Sequence, residues 1–121
     1  MDPNPWPMHL LNALRLGRPL AMEMPPPEEG RRAFVRIRPL TGEADRAAQA
    51  ERWVRSDRGR GFVLTHRTYD ASLLDGYDYD IGAVEVRRAT AEDEADLLKV
   101  LASWDLAPTQ FSYAWDTADP T

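Results

Sequence analysis

The sequence predicts an α+β fold: a ferredoxin-like β-α-β-β-α-β layer with one antiparallel four-stranded sheet, two helices on one face and an additional N-terminal helix. Three observations predict it. From residue 33 onward the apolar positions change period in the order strand, helix, strand, strand, helix, strand. Chain breakers stand at the joints: Pro39, the Gly59 and Gly61 pair, Asp75-Gly76 and Pro108. Hydroxyl and acidic residues open both helical runs, where the positive end of the helix dipole favours anions.

Residues 1–32 read as an appended element. Pro7 suits a first helical turn, where its missing N–H costs nothing. Met8, Leu10, Leu11 and Leu14 supply an apolar stripe, and Gly17 and Pro19 follow Arg15 as stop signals. Ala21 to Met24 is too short to assign. Pro25-Pro26-Pro27-Glu28-Glu29-Gly30 reads as a stiff extended linker, a spacer rather than a PxxP ligand. Residues 33–121 read as a single α+β domain.

The first strand is expected at Ala33 to Arg38, with Val35 and Ile37 inward and Phe34, Arg36 and Arg38 outward. A helix capped by Thr41 and carrying Glu43 and Asp45 in its first turn is expected to run to about Arg55, with Ala44, Ala47, Ala48, Trp53 and Val54 as its apolar side and Trp53 as anchor. The second strand is Phe62 to Arg67. After a long connection, the third is Ile81 to Arg88, with Val84 and Val86 inward and Glu85 and Arg87 outward. Thr90 to Asp93 resembles a capping box. The helix behind it carries Leu97, Leu98, Leu101 and Trp104 at helical spacing. The fourth strand is Gln110 to Asp116, and Thr117 to Thr121 should fray.

Composition narrows the function. A chain of 121 residues with 43% hydrophobic and 29% charged residues can bury one core, which argues against global disorder. The absence of cysteine excludes disulfides, thiol catalysis, iron–sulfur clusters and cysteine zinc sites, and fits a reducing cytoplasm. No apolar run is long enough for a membrane span, and the start Met1-Asp2-Pro3-Asn4-Pro5 lacks the basic region of a secretory signal. A net charge of −5 speaks against nucleic acid and favours a basic partner. Lys99 is the one lysine among 15 basic residues, as a GC-rich genome would encode.

The connection after the second strand is the first site candidate. It gathers Asp70, Asp75, Asp78 and Asp80 with Tyr69, Tyr77 and Tyr79. Its spacing does not follow the calcium-loop pattern, so no metal is assigned. Nor is a catalytic carboxylate pair, which needs a cleft and a perturbed pKa. Carboxylates steer toward a cationic surface and tyrosines give contact area at low entropy cost. Asp75, Tyr77, Asp78, Tyr79 and Asp80 are therefore the expected partner-binding set; the plain alternative is a loop kept soluble by its charges. His9 and His66 have no metal-ligand spacing, and no serine stands in a nucleophile elbow.

The uncovered sheet face is the second candidate, with Arg36, Arg38, His66, Tyr113 and Trp115 as its binding residues. It could mimic a base-stacking platform, but the acidic balance and the lack of an RNA-binding signature oppose this. Cover by the N-terminal segment or a homodimer through this face fits better, because a large exposed aromatic patch is a liability.

Together these features predict a cytoplasmic, non-enzymatic binding protein without cofactor: an acidic inhibitor, of immunity-protein or antitoxin type, for a basic partner such as a nuclease toxin. Two alternatives stand beside it. One is a dimeric ferredoxin-like enzyme or ligand sensor for a small molecule, with a pocket between sheet and helices using His66, Arg36 and Arg38. The other is a structural or assembly component of a phage or secretion system, with the N-terminal segment as a docking arm. Tyr113-Ala114-Trp115-Asp116-Thr117 resembles the closing strand of the acidic ribonuclease-regulator family (regulator of ribonuclease activity B), which implies the same ferredoxin-like layout and an inhibitor role. The similarity covers five residues and transfers no functional position.

Overall fold

Alternating apolar positions build five antiparallel strands, and two amphipathic helices cover one face of the resulting sheet. The computed structural model describes residues 5–120. In chain order they form α1 (Met8–Arg15), β1 (Leu20–Met24), β2 (Arg31–Pro39), α2 (Glu43–Ala50), β3 (Phe62–Asp70), β4 (Val84–Ala91), α3 (Glu94–Ser103) and β5 (Ser112–Tyr113). The strand order is β4-β3-β2-β1-β5. The first four residues, including most of the stretch read as lacking a signal, and Thr121 lie outside the described residues.

This is an α+β fold, but the ferredoxin-like expectation is overturned. A split βαβ layout requires the strands flanking the first helix to run parallel, with another strand between them. Here those strands are β2 and β3, which are antiparallel neighbours from Arg31 opposite Asp70 to Pro39 opposite Phe62. Helix α2 therefore sits in a wide reversal and is not a crossover. Its composition explains why: it buries Ala48 alone, with Ala44 and Ala47 exposed, so it has no stripe to lay on a sheet. Trp53, the expected anchor, lies beyond its end and is 52% exposed.

The fifth strand comes from the segment too short to assign. Leu20 pairs with Ile37 and Met24 with Ala33, so the proline-rich stretch is the connection of the β1–β2 hairpin. The expected long fourth strand shrinks to β5, two residues between one-turn 3-10 segments at Pro108–Gln110 and Ala114–Asp116, paired with β1.

The core lies between the sheet and the pair α1 and α3. Leu20, Met22, Val35, Ile37, Phe62 and Leu64 meet Leu10, Leu11 and Leu14 of α1 and Leu97 and Leu101 of α3. Met8 stays outside it. Arg15 of α1 grips Glu94 of α3 through two hydrogen bonds of 2.8 Å, tying the helices together. Val84 and Val86, expected inward, are each 52% exposed, because β4 is an edge strand that buries only Ala91, near the start of α3. Arg87, expected outward, lies opposite His66 on the helix side, because a β-bulge between His66 and Arg67 shifts the alternation of β4. Its guanidinium stacks over the Trp104 ring at 4.3 Å. Phe34 does point to the other face, yet it is buried there under Tyr69 and Leu74. The expected frayed tail is docked as far as Asp119, which pairs with Arg36 at 3.5 Å.

All three helices end in the same way. Arg18 N–H bonds Ala13 O and Gly17 N–H bonds Leu14 O; Trp53 and Arg52 do the same with Ala48 and Gln49, and Leu106 and Asp105 with Leu101 and Ala102. The left-handed residue is a glycine only at Gly17, with φ +84°; the others are Arg52 at 68° and Asp105 at 59°.

Arg60 joins α1, α2 and the β2–β3 connection. It is 3% exposed and donates to Asp45, to Arg15 O at the end of α1, to Leu40 O behind β2, and to Arg55 O. Asp45 also accepts from Gly42 N–H and so caps α2. Hydrogen bonds from Arg60, then that N–H, hold the Asp45 carboxyl well below its ordinary value of 3.8.

Two stability changes follow. Arg60→Ala removes the donor that Asp45 and three carbonyls share and lowers the unfolding free energy by about 3 kcal/mol in urea titrations, whereas Arg58→Ala leaves it within about 0.5 kcal/mol. Arg52→Gly relieves a left-handed conformation and raises the unfolding free energy by about 1 kcal/mol in the same assay.

Candidate functional site

The acidic connection between β3 and β4 is pinned at both ends and free at its tip. At its start the Asp70 carboxylate accepts from the Ser72 hydroxyl at 2.7 Å and from its N–H at 3.0 Å, which lowers the Asp70 pKa. Ala71 N–H donates to Gly30 O of the β1–β2 hairpin. At its far end Arg31 donates to Gly82 O and to Thr68 Oγ1 at 2.8 Å each. Successive turns close through Gly76 N–H to Leu73 O, Ile81 N–H to Asp78 O and Ala83 N–H to Asp80 O. Leu74 is buried and Tyr79 packs against the Phe34–Tyr69 cluster.

The expected partner-binding set therefore divides by role. Tyr79 is an anchor that faces the protein. Asp75, Asp78 and Asp80 are exposed, and Tyr77 is fully exposed. The carboxylates do not converge on a cation: among the described residues no three metal-ligating side chains stand together. What the loop adds, and the sequence did not suggest, is its continuation. Ile81, Val84 and Val86 are all more than half exposed, so large apolar side chains follow the acidic tip along the chain to the unpaired edge of β4.

The second expected set is split between the two faces of the sheet. Arg36 and Arg38 lie on the face opposite the helices. His66 lies on the helix side, opposite Val35, where its Nδ1 accepts from Arg87 Nε at 3.1 Å. Because arginine only donates, His66 is the neutral tautomer with its proton on Nε2. Burial, then the Arg87 charge, lowers its pKa from 6.5. Tyr113 pairs opposite Leu20 and stacks on Trp115 at 4.6 Å, with His9 edge-on at 5.8 Å.

In place of a mixed aromatic platform, the open face carries a cleft of about 100 Å³ lined by Arg36, Arg38, Val63, Thr65, Arg67 and Arg88. Arg67 and Arg88 escaped sequence reasoning, since only the register brings them to Arg36 and Arg38. A second concavity of about 270 Å³ lies beside α2, between Thr41, Asp45, Gln49, Trp53 and Arg55. No helix among the described residues is long and apolar enough to cross a membrane. No family model matches the chain, and no curated protein and no solved structure is significantly similar to it.

The His66 environment has a measurable sign. Its lowered pKa means that the unfolded chain binds the proton more readily, so its contribution to stability is complete above about pH 6.5 and falls as pH drops below that value. Thermal melts between pH 5 and 8 should show this loss on the acid side. His66→Gln, which keeps an acceptor for Arg87, should flatten that segment of the profile.

Proposed function

We propose that the protein is a non-enzymatic protein-binding module that presents the 75–86 surface to a basic partner, in the manner of an immunity protein or antitoxin acting on a nuclease. One observation carries this reading: Tyr77, Ile81, Val84 and Val86 are 100%, 59%, 52% and 52% exposed within ten residues that also hold Asp78 and Asp80. Protein interfaces combine an apolar centre with a polar rim, and large exposed apolar side chains gathered in one place mark such surfaces.

The physics assigns separate tasks. Asp75, Asp78 and Asp80 steer a cationic surface into register and set the salt dependence of association. Tyr77 and the valines supply the area that excludes water once contact is made. The pinned loop base lowers the entropy lost on binding, because both ends of the loop are already held in place. The unpaired edge of β4 adds backbone donors and acceptors that an extended partner segment can use.

Tagged protein expressed in its native host provides the test. A basic protein should copurify one-to-one at low salt and be shed at high salt. Asp78→Lys should slow its association, and Tyr77→Ala should weaken the complex at least about tenfold by faster dissociation. Equal capture by both variants would reject this surface as the binding site.

A further inference from the structure

The register places Thr65 at the centre of a ring of arginines on the open face. Arg36 lies directly across from it on β2 and Arg88 directly across on β4; Arg67 follows two residues along β3, and Arg38 stands diagonally beside Val63. Arg36, Arg38, Arg67 and Arg88 line one cleft with Val63 and Thr65. From the geometry we propose that this cleft is a binding site for the phosphoryl group of a small phosphorylated molecule.

Charge is the first argument. The chain carries −5 overall, yet four guanidiniums meet here. Like charges on neighbouring strands repel, and an ordinary solvated face interleaves both signs. Two carboxylates offset the four cations. Glu85 serves Arg88 at 2.9 Å and Arg67 at 3.8 Å, and Asp119 reaches Arg36 at 3.5 Å. Arg38 has no acidic partner among the described residues. A net positive cleft on a negative protein is a focused attraction for anions.

Unmet hydrogen bonding is the second. Arg36 Nη1 is buried with no hydrogen-bond acceptor. A buried donor held by a long ion pair alone is incompletely satisfied: that same Nη1 lies 3.5 Å from the carboxylate of the chain's own Asp119, which is 2% exposed. That carboxylate is buried beside the cleft, not in its lining, and holds Arg36 as an internal anion. A phosphoryl group entering beside Thr65 would give the guanidinium forks the planar, bidentate acceptors they match best.

Size and surroundings select a small ligand. A cleft of about 100 Å³ takes one phosphoryl group and little more. The rings that could stack a base are elsewhere: Phe34 is buried under Tyr69, and Tyr113 stacks on Trp115 beyond the cleft. The negative charge of the remaining surface repels a long polyanion or an anionic bilayer more strongly than a single ester. It also follows that a symmetric dimer through this face would set arginines against arginines.

The test is titration with inorganic pyrophosphate at low salt, followed by calorimetry and by amide chemical shifts. Saturable binding is expected, with shifts centred on Thr65, Arg38 and Arg67. Arg38→Ala and Arg88→Ala, both at exposed positions, should keep the wild-type melting temperature and each weaken binding about tenfold or more. Asp119→Asn should tighten it. Absence of saturation, or affinity unchanged in Arg38→Ala and Arg88→Ala, would overturn the proposal, as would unchanged affinity in Asp119→Asn for the role given to that carboxylate. Tighter binding of a single-stranded oligonucleotide or of anionic phospholipid vesicles than of pyrophosphate would overturn the choice of a small ligand.

Discussion

The buried guanidinium of Arg60 is the constraint on which the rest of the architecture depends. It takes the last carbonyl of α1, the carbonyl that leaves β2, the carboxylate that starts α2 and a carbonyl of the return to β3. No ladder or helix bond joins those four places. A cation so enclosed is tolerable only because nearly every N–H has an acceptor and one acceptor is charged. With it in place, a connection that carries little apolar surface still delivers β3 antiparallel to β2. The sheet order follows from that reversal.

The sheet then works as two unlike faces. The helix side is an apolar layer beneath α1 and α3, bordered toward β4 by His66 and Arg87. On the open side a small aromatic cluster under the acidic loop occupies one end, and the arginine cleft lies toward the other. An antiparallel sheet permits this asymmetry, since its connections need not place helices on both faces. The bulge in β4 is what keeps the two sides chemically distinct at the edge. It turns Arg87 inward to His66 and Trp104 while Glu85 and Arg88 remain outside. Without that extra residue, one step of register would exchange the two sets.

The faces of β2 were legible in the sequence; those of the bulged β4, and the neighbours of every strand, were not. Val35 and Ile37 announce by alternation which way they point, α1 and α3 show themselves by their apolar stripes, and α2 and α3 by their acidic starts. Alternation carries no information about which strand lies beside which, so β2 and β3 were separated where they are paired. The end of α2 was overrun because its left-handed residue is Arg52 and not glycine. β1 is five residues ending at a proline, too short for its period to register. The acidic loop could be seen because composition alone defines it. The arginine cleft could not, because Arg67 and Arg88 meet Arg36 and Arg38 only through cross-strand pairing.

The β1–β5 pairing has a consequence for how the chain reaches this state. Leu20 meets Tyr113, and the Trp6 ring lies 6.2 Å from that of Phe111. These partners come from opposite ends of the chain, so the contacts that close the core are its most non-local ones. Such contacts form slowly, because the intervening loop must be ordered before they repay it. On the ribosome, α1 emerges with its leucine stripe while α3 and β5 are still unmade. Until they arrive, that stripe has only part of its final cover, which exposes the growing chain to aggregation and to capture by chaperones.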